Sequence, residues 1–351
     1  MTICEELQNL EESYLAPYAM KSSQTKGRER AEEPDLLRTC FMRDRDRIIH
    51  SKSFRRLKHK TQVYISPGND HYRTRLTHTL EVSQISRTVG KALRLNLDLI
   101  EAIALGHDVG HTPFSHTGEE VLNKLLPSGF RHNENSVRVL TRIEQGKKGP
   151  GLNLTQETLQ GVLGHSGLEK KDDNDNTLEG QVVRFSDKIA YIQHDIDDSI
   201  RAGVLKLSDI PQEYLQVLGY DHSARITTLV QDLVQNSRKN FAVGRLKVSL
   251  SPSINEALKG LRKFMFEMVY KGPLCMAERQ KAIYVVEFLF AYYVKNHEEL
   301  PEFYLKIALD EGVERGVADY ISGMTDNYCT NVFKELVLPR SCIQTKRDFE
   351  N

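Results

Sequence analysis

Four side chains able to hold a metal ion are spread along this chain: His78, His107, Asp108 and Asp187. They lie in the strings TRLTHTLEV, GHDVGHTPFSHTGEE and VVRFSDKIAYIQHD. The middle string is the densest. It puts the His107–Asp108 dyad, His111, His116 and Glu119 within thirteen residues. Imidazole and carboxylate without thiolate suit Mn, Fe, Zn, Co or Ni, with Mg at a more oxygen-rich second site. Crowding of this kind points to a metal-dependent hydrolase more than to a packed core.

Each residue alone has an ordinary explanation. A His-Asp dipeptide arises by chance, and a lone histidine on an apolar helix is most often a hydrogen-bonded core residue. The spacing argues for the set. Ile100, Ile103, Ala104, His107 and Asp108 share one helical face. A carboxylate on a buried stripe is costly unless it is paired, and a cation beside Asp108 removes that cost. His78 falls among Leu76, Leu80, Val82 and Ile85 and so points inward as well. His116 and Glu119 are three residues apart at the start of a helix, where they can face each other. A carboxylate that orients an imidazole makes a proton-transfer pair. Asp187, Tyr191 and Asp195 fall at i, i+4 and i+8, along one face of a helix.

The elements that must carry these side chains read as helices. Segment 76–94 has helical periodicity and meets no Gly or Pro until Gly90. Segment 97–109 is a second, broken by Gly110 and Pro113; 117–126 is a third, ended by Pro127 and Gly129. Segment 132–145 is a fourth, followed by GKKGPGLNL, a surface turn rich in Lys and Gly. Segment 155–164 is a short helix, and 178–202 a long one with Val182, Phe185, Ile189, Ile192 and Ile196 as its apolar row. Between them, EKKDDNDNT has the look of a calcium loop but lacks the glycine and glutamate such a loop requires, and it reads as a solvated loop. KTQVYIS reads as a short extended piece or hairpin arm. Further helices follow from about 225, with AIYVVEFLFAYYV at 282–294 as a buried one. The expected fold is all-α with at most a short β hairpin. Residues 1–60 form an N-terminal arm and helices, 61–203 the core, and 204–351 a C-terminal helical region packed on it, with no strong boundary.

Composition removes several function classes. A formal net charge of zero gives no global basic field for nucleic acid. The five cysteines are far apart and odd in number, without CxxC or zinc-finger spacing, and read as reduced thiols of a cytoplasmic protein. No apolar run approaches a membrane span of about 18–20 residues. The acidic start, MTICEELQNLEESY, does not read as a signal peptide.

The H…HD…D pattern resembles that of the HD-domain metal phosphohydrolases. The longer strings RDRDRIIHSKSFRRLKHKTQV, RTRLTHTLEVSQISRTV, ALGHDVGHTPFSHTGEEVL, RHNENSVRVL and LEGQVVRFSDKIAYIQHDIDDSIRAG resemble its dGTPase-like branch, the deoxynucleoside triphosphate triphosphohydrolases. The likeness runs from about Ala16 to Gly203 and more weakly to Tyr270. It implies an HD-domain core over 61–203 and a divalent metal (Mn, Mg, or Fe, Ni or Co) on His78, His107, Asp108 and Asp187. It implies that water activated at the metal attacks the α-phosphorus of a dNTP, releasing deoxynucleoside and triphosphate. His116 and Glu119 are then catalytic, with His111 touching phosphate and His132 near the metal site. Arg75 and Lys188 bind phosphates. Tyr191 packs on the sugar where a 2′-hydroxyl would clash, Asp195 and Gln62 take the 3′-hydroxyl, and Tyr270 stacks on the base. Gly272 stands where the family often has His, which loosens the transfer of base contacts. The basic run Arg55, Arg56, Lys58 and Lys60 reads equally as solvated surface or phosphate contact. The resemblance further implies a homo-oligomer, hexamer or tetramer, and admits a dNTP activator at a separate site and weak single-stranded DNA binding. Two alternatives stay open: another HD phosphohydrolase, such as a 5′-nucleotidase or phosphodiesterase, and a catalytically silent nucleotide or DNA sensor.

Overall fold

The central helices start where the sequence supplies side-chain caps. Thr74, Asn96, Thr155 and Thr177 each accept a first-turn N–H of the helix that follows them. Those donors have no partner inside the helix, so the cap sets where each helix begins. In the computed structural model, which describes residues 1–64, 72–146, 149–166 and 176–339, these helices span Arg75–Leu93, Leu97–Gly106, Gln156–Gly164 and Leu178–Arg201.

The fold is all-α, with sixteen α-helices among the described residues. The only paired strands among them are two residues each, Gln145–Gly146 against Gly149–Pro150. This hairpin lies where the sequence reads as a surface turn. KTQVYIS contributes one bridge, Thr61 to Thr74, and its last residues lie outside the described residues. Most of EKKDDNDNT also lies outside them.

Arg75–Leu93, Leu97–Gly106 and Leu178–Arg201 pack on one another, and Gln156–Gly164 covers the last two. Val82, Ile85, Val89, Ile100, Ile103, Val182, Ile189 and Ile196 meet in the apolar core they enclose. Full burial of such side chains is worth roughly 1.5–3 kcal/mol each. Leu80 departs from its expected row and faces outward, 52% exposed. Leu205, Leu229, Leu258 and Met265, from further along the chain, join the same core.

A second core forms between His116–Leu125 and the C-terminal helices. Phe114, Val121, Leu122 and Phe130 pack there with Leu289, Phe290, Ile321 and Val332. The Pro273–Lys295 helix is not buried all round, as its apolar run suggests. It presents Val286, Leu289, Phe290 and Tyr293 to this core while Tyr284 is exposed, because neighbours cover only one side. The 110–116 loop therefore runs between two cores. No helix among the described residues is long and apolar enough to cross a membrane.

Candidate active site

His78 stands in the first turn of Arg75–Leu93, His107 and Asp108 follow the end of Leu97–Gly106, and Asp187 sits within Leu178–Arg201. The Leu97–Gly106 helix stops three residues before its expected end, and the chain turns there. The His107 ring closes onto its own helix, with Nδ1 2.6 Å from the Ala104 carbonyl. Ser136 then takes up the turn, donating to the His107 carbonyl and accepting from Gly110 N. Only glycine fits at 110, since a Cβ there would lie 2.1 Å from Ser136 N.

The four side chains converge. His78 Nε2 is 3.1 Å from Asp187 Oδ1 and 3.9 Å from Asp108 Oδ2. His107 Nε2 is 3.5 Å from Asp108 Oδ1 and 3.8 Å from Asp187 Oδ1. A carbonyl can only accept, so His107 donates through Nδ1, which turns Nε2 toward the two carboxylates. That atom is buried and has no hydrogen-bond partner among the described residues. Buried polar atoms of this kind are costly unless something joins them, and an imidazole fixed through its other nitrogen is the arrangement of a metal ligand. His78, His107 and Asp108 bring ligand atoms within 4.8 Å of one another, and Asp187 stands beside the two histidines, a donor set that fits a divalent cation of nitrogen and oxygen preference.

Arg75 is drawn into this group. Its guanidinium donates to Asp108 Oδ2 and Ser115 Oγ, both at 2.7 Å. Burial pushes the Asp108 carboxyl up, but His107, His111 and Arg75 outweigh it and hold it well below the usual carboxylate range. Burial likewise opposes ionisation of Asp187, and the His78 hydrogen bond and the nearby imidazoles reverse it.

A second group borders the first. His116 Nδ1 lies 3.0 Å from Glu119 Oε2. Glu119 Oε1 accepts from His132 N at 2.8 Å and lies 2.9 Å from His132 Nδ1. His132 Nε2 lies 3.2 Å from His165 Nε2, and its ring stacks on His111 with centroids 4.1 Å apart. The result is a continuous row: His116, Glu119, His132, His165. Burial raises the Glu119 carboxyl, yet hydrogen bonds from His116 and His132 hold it far below the carboxylate range. His111 Nε2 is 3.3 Å from Asp108 Oδ1. Burial, with Arg75 and His132 nearby, pushes the His111 imidazole well below its usual range.

Both groups open on a cavity of about 710 Å³. Asp187, Tyr191 and Asp195 line it in a row, as their spacing predicts, together with Gln62, Lys188 and Tyr270. The Tyr270 hydroxyl donates to Asp195. Asp195 Oδ1 and Gln62 Oε1 are buried without hydrogen-bond partners among the described residues. Burial pushes the Asp195 carboxyl up to about 7. None of the basic run Arg55, Arg56, Lys58 and Lys60 lines the cavity; Lys60 is buried elsewhere, and Arg56 donates to the Gly323 carbonyl.

The structure adds residues not singled out above. Arg262 lines the cavity and hydrogen-bonds Tyr191. Arg279 lines it too, paired with Glu120. His165 extends the imidazole row, and a signal for it exists. Leu163-Gly164-His165 repeats Leu105-Gly106-His107, and both rings bond through Nδ1 to the carbonyl three residues earlier, at 2.6 Å.

Comparison with known proteins places the chain in a family. An HD domain model matches residues 75–192, and a phosphohydrolase-associated domain model matches residues 248–335. A deoxyguanosinetriphosphate triphosphohydrolase-like protein of Clostridium tetani is 57% identical over 345 residues, covering 98% of each chain. Its namesake in Clostridium perfringens (strain 13) is 56% identical, covering 97% of this chain and 99% of that one. A third, from Caldanaerobacter subterraneus, is 55% identical over 97% of each.

Proposed function

This chain belongs to the deoxyguanosinetriphosphate triphosphohydrolase-like family of HD-domain phosphohydrolases, and on that premise we propose that it hydrolyses deoxynucleoside triphosphates to deoxynucleoside and inorganic triphosphate. The observation that carries this reading is the row on one helix: a metal-ligand carboxylate at Asp187, an aromatic ring at Tyr191 and a carboxyl pushed to about 7 at Asp195. The row spans eight residues, about 12 Å of helix. It suits a ligand with phosphate at one end and a hydroxylated ring at the other.

A divalent cation held by His78, His107, Asp108 and Asp187 supplies, when bound, acidification of water and withdrawal of charge from a phosphoryl oxygen. The chain's own groups do the rest. Arg75 orients Asp108 through its 2.7 Å hydrogen bond. Lys188, Arg262 and Arg279 bring positive charge to the cavity wall for the polyphosphate. Tyr191 packs on the deoxyribose, leaving no room for a 2′-hydroxyl. Asp195 and Gln62 offer their unpartnered oxygens to the 3′-hydroxyl. Tyr270 stands where it can stack on the base. His116, oriented by Glu119, hands a proton to the leaving 5′ oxygen, and His132 holds Glu119 from the other side. Water adds to the α-phosphorus, the bond from phosphorus to the 5′ oxygen breaks, and triphosphate leaves whole.

The test is chromatography of the products formed with Mn and each dNTP, singly and in an equal mixture. Equimolar deoxynucleoside and triphosphate support the reading. Absence of triphosphate under every condition rejects it, and activity only in the mixture reveals an activating nucleotide.

A further inference from the structure

We propose that Asp326, far from the metal ligands in sequence, is a positioning residue: it holds the 111–116 loop in the conformation that carries His111 and His116 into the cavity. The kinetic part of this proposal rests on the hydrolase reading above; the structural part does not.

Asp326 opens the Asp326–Val337 helix and is 1% exposed. A carboxylate there could cap its own helix, but Thr325 already does so, accepting from Tyr328 N. Both Asp326 oxygens instead serve remote segments. Oδ1 accepts from Phe114 N at 3.0 Å. Oδ2 accepts from Thr61 N at 3.1 Å and from its hydroxyl at 2.6 Å. Asp326 does not line the cavity, so it acts through other residues.

The loop needs such an anchor. Phe114 and Ser115 both sit in the left-handed region, at φ 59° and 58°. Residues other than glycine stay there only when their surroundings fix them. Asp326 fixes the amide of the first. Lys60, itself buried, fixes the loop's other end by donating to the His111 carbonyl and, at 2.9 Å, to the Ser322 carbonyl. Ser322 precedes Asp326 by four residues, so both ends of the loop are tied to the same C-terminal stretch. Thr61 also bridges to Thr74, the cap of the His78 helix, and Arg75 N donates to the Lys60 carbonyl at 3.0 Å. One carboxylate thus joins the strand-like 60–62 segment with Gln62, the loop with His111 and His116, and the start of the helix with Arg75 and His78. In this way the C-terminal helical region helps to build the site without touching substrate.

The test uses the full chain with Asp326→Asn, which keeps the size but must turn an amide N–H toward Phe114 or Thr61. Hydrogen exchange of the 110–117 peptide reads the loop directly, and we expect it to speed up by about tenfold or more. Kinetics with dNTP should show kcat down by about tenfold or more and KM within about threefold, with metal content by mass spectrometry unchanged. Because part of the effect of Asp326 runs through His116, Asp326→Asn in a His116→Ala background should cost clearly less than it does in wild type, with the share carried by His111 remaining. Thr61→Val, which deletes one hydrogen bond to Oδ2, gives a milder change of the same sign and serves if Asp326→Asn fails to fold. Unchanged loop exchange in the folded variant overturns the proposal, whatever the activity. So does a kcat loss that multiplies in full with His116→Ala. If wild-type protein hydrolyses no dNTP, the functional reading falls, and loop exchange alone decides the role of Asp326.

Discussion

Glu119→Gln tests the proton-transfer row at its centre. The Glu119 carboxylate meets His132 N, His132 Nδ1 and His116 Nδ1 at 2.8, 2.9 and 3.0 Å. The His116 side chain is 74% exposed, and Glu119 is its one hydrogen-bond partner among the described residues. Glutamine can accept through Oε1 from His132 but must then present an N–H toward His116. One charged hydrogen bond is worth about 1.5–3 kcal/mol. Lost from the transition state, that lowers kcat by roughly 10–150-fold. The ceiling is the whole acid–base contribution, roughly 10²–10⁴-fold, which His116→Ala should approach. KM should stay near wild type, because the carboxylate orients a proton donor and does not hold substrate. The double variant should be no slower than His116→Ala alone. Steady-state kinetics of triphosphate release across the four proteins decides. A kcat for Glu119→Gln within about threefold of wild type, or a loss confined to KM, would refute the row as the proton path.

Two further outcomes follow from buried groups. Glu179 is fully buried, accepts from Met20 N and Asn96 N, and is pushed by burial from 4.5 to about 7. Folding therefore favours its protonated form, so its contribution is whole below pH 4.5 and is lost as pH rises through about 7, a change of about 3 kcal/mol. Glu179→Gln should flatten urea-unfolding stability across that window, and an unchanged slope would assign the pH dependence to other groups. Tyr191→Ala should raise the GTP-to-dGTP ratio of kcat/KM by about tenfold, the worth of one steric contact against the 2′-hydroxyl. A ratio that does not move takes Tyr191 out of sugar discrimination.

Much of the site can be read from local spacing, because the helices carrying His78 and Asp187 have side-chain caps and sustained periodicity. His107 lies inward because it caps the apolar Leu97–Gly106 helix, and Asp108 is buried in the turn that follows. His116 meets Glu119, and Asp187, Tyr191 and Asp195 form a row, because helical geometry alone brings i+3 and i+4 neighbours together. What escapes the sequence is created by tertiary approach. Lys60 stands in a basic run that reads equally as solvated surface or phosphate contact, yet its ammonium is buried against two carbonyls from remote segments. Asp326 looks like an ordinary first-turn acid until the Phe114 amide reaches it. Arg75 is one turn from His78, but that its guanidinium clamps Asp108 depends on how two helices cross. The same holds for Pro273–Lys295, whose apolar run does not disclose that only one side is covered.

The most direct test of the proposed reaction is hydrolysis in ¹⁸O-enriched water, with intact products weighed by mass spectrometry. Wild-type protein with Mn and a dNTP should yield triphosphate carrying one heavy oxygen and an unlabelled deoxynucleoside, and Asp108→Ala should yield neither. Label in the deoxynucleoside would place the broken bond on the sugar side. Labelled orthophosphate or a nucleoside monophosphate would contradict release of an intact triphosphate.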